Sequence, residues 1–214
     1  MSMMSKLLGQ CRKPAGWMGR MVARGMNVSH SEMTDWGLSH VAIGKSDTIL
    51  DVGCGGGGTV RKLATMVEKG QVYGIDYSEE SVRISTKLNR KLIDSGRVEI
   101  GHGSVSSLPF PSDTFDLVTA IESHYFWPDL ANDMKEILRV LKPGGMLMLL
   151  GGEYKGGKFD ERNQRWVELG DMAYHTVDEF GQLFFTVGFT DVKVLEDSDR
   201  GWMCGLGRKP FCSA

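Results

Sequence analysis

The eight residues Asp51-Val52-Gly53-Cys54-Gly55-Gly56-Gly57-Gly58 carry the densest chemical signal in the chain. Glycines let a backbone turn sharply and approach a ligand closely, at a cost in conformational entropy, and four in a row are hard to explain as a turn alone. Gly53, Gly55 and Gly58 satisfy GxGxxG; Gly53, Gly55 and Gly57 satisfy GxGxG equally well. The glycines alone therefore leave the ligand open. Asp51, two residues before Gly53, narrows it. A carboxylate there repels a pyrophosphate and suits a ligand bearing an ammonium group. Asp76 ends the next apolar run, 25 positions after Asp51, where an acid is suited to gripping both hydroxyls of a ribose. The rival reading, Asp76 as a helix cap, is weaker because Ser78 is the better cap.

A second cluster is Glu122-Ser123-His124-Tyr125-Phe126-Trp127-Pro128, with four consecutive ring side chains. Aromatic faces can flank a cationic sulfur or an apolar acceptor. Tyr125 is the foremost catalytic candidate. His124 is a candidate general base near neutral pH, and Trp127 a substrate contact. Upstream, His30 (catalytic) and Trp36 (substrate) are candidates within Met26–Trp36. Downstream, Tyr154 lies in the glycine-rich and expectedly mobile stretch Gly151–Lys158, which could roof an acceptor. Cys54 reads as a small buried filler of the loop.

Alternating elements must position these groups. Thr48–Val52, Gln71–Ile75, Arg97–Ile100, Phe115–Ile121 and Met146–Leu150 read as strands; Thr59–Glu68, Ser78–Ile93, Leu130–Leu141 and Thr176–Val187 read as helices. Lys142-Pro143-Gly144-Gly145 stops the third of these helices, and Thr176 with Glu179 forms a capping box. Val192–Leu195 and Trp202–Leu206 read as closing strands. Strands alternating with helices predict an open α/β sheet with helices on both faces, and ligands then sit beyond the carboxyl ends of the strands. Residues 1–45 are expected to be a helical extension or lid, with a basic, Met-rich start, and residues 46–214 the main domain.

At this point the chain resembles the class I S-adenosylmethionine-dependent methyltransferases, in their small-molecule, single-domain branch. The matching stretches are Ile49–Gly57, Tyr73-Gly74-Ile75-Asp76, Leu108-Pro109-Phe110 with Phe115–Val118, and Glu136–Gly145; Val187–Val192 resembles the family's sixth strand. The resemblance implies a Rossmann-like sheet of seven strands, the last antiparallel. It implies S-adenosylmethionine as cofactor and S-adenosylhomocysteine as product. Asp51, Gly53, Cys54, Gly55 and Gly57 would approach the methionine and ribose. Asp76 would bind the ribose hydroxyls and Tyr77 would stack on adenine. At Ser104-Val105 the family usually carries an acid for the adenine amino group; here a serine replaces it. Glu122 falls where the family places residues near the transferred methyl.

Bulk properties exclude several partners. With 214 residues, 41% hydrophobic, 24% charged and a formal charge of −2, the composition is that of an ordinary globular domain with no pull toward nucleic acid. No apolar run suggests a signal peptide or an integral membrane segment, and Cys11, Cys54, Cys204 and Cys212 suggest neither metal site nor disulfides. A cytoplasmic monomer or homodimer acting on a small molecule is expected. The alternatives are a nicotinamide-dependent oxidoreductase, which would need a catalytic Ser-Tyr-Lys set not found here, and a non-catalytic S-adenosylmethionine-binding regulator.

Overall fold

The computed structural model describes residues 31–211. Seven strands are β1 (Thr48–Val52), β2 (Gln71–Asp76), β3 (Val98–His102), β4 (Phe115–Ile121), β5 (Leu141–Gly151), β6 (Thr190–Asp197) and β7 (Trp202–Arg208). They form one sheet in the order β3-β2-β1-β4-β5-β7-β6. β1–β2, β2–β3 and β4–β5 pair in parallel, whereas β7 runs antiparallel to both β5 and β6. The expected seven-stranded Rossmann-like sheet is present, with its last strand reversed. The helices are α1 (Ser31–Leu38), α2 (Gly58–Met66), α3 (Glu79–Leu88), α4 (Arg90–Asp94), α5 (Leu130–Val140), α6 (Asp160–Gly170) and α7 (Val177–Val187). The chain divides into two compact units, one ending at Ser104 and one starting at Val105.

In the first unit, β1 is buried from Ile49 to Val52, consistent with an apolar strand covered on both faces. α2 starts at Gly57, whose φ of 79° no side chain supports by capping. Its far end is tied down by Arg97, whose guanidinium donates to the carbonyls of Ala64 (2.8 Å), Val67 and Gly70 (3.3 Å). α1 is tethered to α2 through Lys62, which donates to Asp35 at 2.6 Å and to the Ser31 carbonyl at 3.3 Å. Ser78 caps α3 as expected, accepting from the Ser81 amide at 3.3 Å. The single helix expected over Ser78–Ile93 is broken at Asn89, whose side chain bonds two backbone carbonyls and whose ψ of 10° interrupts the spiral.

In the second unit, α5 buries Leu130, Met134, Ile137 and Val140. It stops at Val140, and β5 begins at Leu141 rather than at Met146. Phe115 pairs with Leu141 but Leu117 with Met146, so Lys142–Gly145 bulges out of the strand. α7 carries the expected capping box, the Thr176 hydroxyl accepting from Glu179 N–H at 3.1 Å and the Glu179 carboxylate from Thr176 N–H at 2.9 Å. Its Phe180 and Phe184 press onto β7, where a Cβ at Gly205 or Gly207 would come within 2.6 Å of a ring carbon. The glycine-rich segment after β5 leads into α6 at Asp160.

Candidate functional site

The glycine loop is pinned by its own backbone and by one carboxylate. The Gly53 and Cys54 amides both donate to the Ile75 carbonyl, at 2.9 and 3.0 Å. The loop then turns through left-handed φ angles at Gly53 (72°), Gly55 (51°) and Gly57 (79°). Asp76, buried at the end of β2, accepts from Gly55 N–H at 2.9 Å and from Ser78 N–H at 2.8 Å. Burial pushes the Asp76 carboxyl up; the two amides, with Ser81 and His102, hold it partly down. Asp51 is buried inside β1, in register with Gly74. Cys54 is buried beneath the loop, and its thiol is pushed well up by burial and by Asp76 and Asp51, so it stays protonated. Tyr77 keeps its ring exposed, while its carbonyl is held by the His102 ring at 3.0 Å. Ser104 is exposed and Val105 buried. Trp36 is half-buried on α1, edge-on to His40 with ring centroids 5.1 Å apart. His30 lies outside the described residues, as does the basic, Met-rich stretch before it.

The second-unit candidates form a closed group. Glu122 leaves β4 with φ of 55°, unusual for a residue with a Cβ. Its carboxylate accepts from Gly152 N–H and from the Tyr125 hydroxyl, both at 2.7 Å. Burial raises the Glu122 carboxyl, with Tyr125 and Gly152 opposing it. The Tyr125 hydroxyl is pushed well up by burial and by Glu122 and Glu153. It is a donor, not a base. His124 is only 3% exposed, stacked near Tyr125 (5.0 Å) and Phe180 (5.3 Å), and its Nδ1 has no hydrogen-bond partner. Burial, then the neighbouring His175, holds its pKa down to about 3. This corrects the expectation of a general base near neutral pH, because so weak and enclosed an imidazole does not collect protons there. Trp127 is half-buried at the end of a short 3-10 turn, His124–Phe126. Tyr154, expected at the acceptor, is buried and donates to Glu196 at 2.6 Å. Its hydroxyl is used within the fold.

Two residues passed over in the sequence emerge here. Asn163 of α6, buried, donates to the Gly152 carbonyl at 2.9 Å, so that Glu122 and Asn163 grip both sides of one residue. Asn89, buried, donates to the Gly57 carbonyl at 3.1 Å from 32 residues away. Neither has a local signal, since each partner is remote in sequence. Among the described residues no group of histidine, cysteine or acidic side chains could hold a metal ion, and no helix is long and apolar enough to cross a membrane.

Residues 50–149 match the family model described as "Methyltransferase domain". The demethylmenaquinone methyltransferase of Geobacillus kaustophilus is 30% identical over 182 residues, covering 73% of this chain and 76% of that protein. The demethylmenaquinone methyltransferase of Lysinibacillus sphaericus is 38% identical over 114 residues; the match spans 53% of this chain and 47%, about half, of that relative. A solved S-adenosylmethionine-dependent methyltransferase of Aquifex aeolicus shares the fold, with a TM-score of 0.70 and 21% identity over 96% of this chain and 98% of that one. The chain belongs to the class I S-adenosylmethionine-dependent methyltransferases. Its cofactor is S-adenosylmethionine, and the by-product is S-adenosylhomocysteine. These findings side against nicotinamide-dependent oxidation.

The cradle of the first unit fits that cofactor. Among the described residues, a Cβ built on Gly55 would meet nothing within 4 Å. A buried carboxylate stands near each of the first two strand ends, and Tyr77, 38% exposed, follows the second.

Proposed function

We propose that this chain transfers a methyl group from S-adenosylmethionine, held by the first unit's cradle, to a small and largely apolar acceptor. The observation that carries the reading is Asp76, buried, fixed to Gly55 N–H and next to an exposed Tyr77. In this reading the glycines at 53, 55 and 57 let the backbone approach the donor, and Cys54 fills the space below them. The Asp51 carboxylate balances the donor's ammonium group, Asp76 accepts from the ribose hydroxyls, and Tyr77 offers its face to adenine. Ser104 accepts from the adenine amino group, less strongly than a carboxylate would, with Val105 buried behind it.

When bound, the cofactor supplies an electrophilic methyl on a cationic sulfur. The protein's task is then to hold an acceptor in line and exclude water, which by itself accounts for several kcal/mol of a barrier. Neither His124 nor Tyr125 serves as the base. Tyr125 and Glu122 act as a pair that fixes the turn at Gly152, and an acceptor that must lose a proton arrives already ionised or gives it to water. Trp36 and Trp127 are retained as acceptor contacts.

The apolar character of the acceptor is supported by the relatives: two act on demethylmenaquinone, and another, from Aspergillus fumigatus, is a sterol 24-C-methyltransferase. Of the extension or lid expected over residues 1–45, residues 1–30 lie outside the described residues. The same reading has the protein work in the cytoplasm, as a monomer or homodimer, without nucleic acid. Incubation with methyl-labelled S-adenosylmethionine and a panel of quinol, sterol and amine acceptors tests the reading. Label is expected in the quinol or sterol fraction. Transfer to amines alone contradicts the acceptor class, and donor binding without transfer to any fraction favours the non-catalytic regulator.

A further inference from the structure

α3 breaks the usual rule for a helix on a sheet. Its buried positions, with the cap before it and the break after it, are Ser78, Ser81, Ser85 and Asn89, each at most 1% exposed. They recur at intervals of three and four, a helical stripe, but the stripe is small and polar where burial ordinarily selects apolar side chains. It lies against the glycine loop. The Ser85 hydroxyl is 4.0 Å from the Cys54 sulfur. A Cβ on Gly57 would come to 2.3 Å from Ser85 Oγ and 2.5 Å from Asn89 Nδ2. Asn89 Nδ2 donates to the carbonyls of both Gly57 (3.1 Å) and Ser85 (3.0 Å). The Asn89 Oδ1 atom is buried and has no hydrogen-bond partner among the described residues.

An apolar residue would fill the end of this stripe at lower cost than a buried amide with an unmet oxygen. What the amide supplies is a donor to Gly57, the N-cap of α2, which has no side chain of its own to fix it. Backbone bonds already tie Gly57, whose N–H donates to the Cys54 carbonyl at 2.9 Å and whose carbonyl accepts from Arg61 N–H at 3.1 Å. Groups outside the loop hold it through Ile75 at Gly53 and Cys54, Asp76 at Gly55 and, as a second donor to the same carbonyl, Asn89 at Gly57. Between the last two the backbone is glycine and free to wander unless both ends are pinned.

We propose that Asn89 is a positioning residue for the methyl donor: through Gly57 it holds the cofactor loop in its binding shape from below, touching no ligand. The inference rests on the reading of this loop as the donor's cradle. S-adenosylhomocysteine titrated by calorimetry into the full chain, well below the melting transition, tests it, because a loss of global stability alone does not move an affinity measured where the protein is folded. Asn89→Ala is expected to weaken binding about tenfold, the worth of one buried hydrogen bond. Asn89→Asp at pH 8 keeps the shape and loses the donor, and weakens binding at least as much. Leu92→Ala loosens α4 without reaching the loop and leaves the affinity within about twofold. Asn89→Ala or Asn89→Asp binding within twofold of the parent overturns the proposal, as does an equal loss from Leu92→Ala. Asp76→Ala separates the two levels. Unchanged affinity there sinks the cradle reading itself, whereas a large loss in Asp76→Ala with none in the Asn89 variants sinks only the role of Asn89.

Discussion

Between Asp51 and Asn89 the buried side chains of Asp76 and Asn89 hold the loop's backbone, and among the described residues nothing lies within 4 Å of a Cβ at Gly55. Around Glu122–Phe180 the polar side chains are turned on one another. Tyr125 gives its hydroxyl to Glu122, Glu122 and Asn163 take the two sides of Gly152, and His124 is shut among rings. The first arrangement uses buried polarity to fix the backbone of a glycine loop. The second uses it to fix a turn. Residue types alone do not tell these apart; what tells them apart is what the polar atoms hold, the backbone of a glycine loop in one case and the turn at Gly152 in the other.

Gly57→Ala should break the first region most severely. At a φ of 79°, with Ser85 and Asn89 in the way of a Cβ, it is expected to cost about 3 kcal/mol or more. That is a fall in Tm of roughly 6–12 °C by calorimetry. Gly55→Ala, at a φ of 51° with nothing within 4 Å, should cost only about 1 kcal/mol. Equal melts for the two would mean that the loop has no packed floor.

In the second region, His124 should govern part of the acid limb. Its pKa is about 3 in the fold against 6.5 when free. Between those values the unfolded chain binds a proton that the native one does not. Stability is therefore full above about pH 6.5 and is lost as pH falls, by about 2 kcal/mol at pH 5. Urea melts of the parent and His124→Phe at pH 7 and pH 5 should show that loss in the parent alone; parallel losses would mean His124 is not shut in. Asn163→Ala should cost about 1–2 kcal/mol in the same melts by orphaning the Gly152 carbonyl, yet leave S-adenosylhomocysteine affinity unchanged. A fall in affinity would show that the clamp serves the donor as well.

The smallest effect is expected from Glu122→Gln. The raised carboxyl of Glu122 makes its charged form a burden on the fold, so its stability contribution is present at low pH and lost as pH rises. The variant should melt slightly above the parent at pH 8, with the gap closing toward pH 4. A variant melting lower at pH 8 would show that the charge is needed to hold Tyr125 and Gly152.

The sheet and the glycine loop at the end of β1 were legible in the sequence because their signals are local. Thr48–Val52 is a short apolar run ending in glycines, and Thr176 carries its Glu179 three residues on. Asp76 stands at a strand tip beside a better cap. The rest depended on contacts between distant residues. Asn89 breaks a helix in order to reach Gly57, which no periodicity records. α6, Asp-Glu-Arg-Asn-Gln-Arg-Trp-Val-Glu-Leu-Gly, is nearly all polar and has no apolar stripe to announce it; its one deeply buried side chain is an asparagine. The run His124–Trp127 announced rings but not their direction, and burial reversed the role expected of His124.

The most direct test of the cradle is the affinity of Asp76→Ala for S-adenosylhomocysteine, measured by calorimetry at neutral pH with folding checked by circular dichroism. Loss of a buried carboxylate that accepts from the loop, and in the proposed reading from the ribose as well, predicts binding weakened about 100-fold or more in a folded protein. A folded Asp76→Ala variant that binds within twofold of the parent would contradict the account.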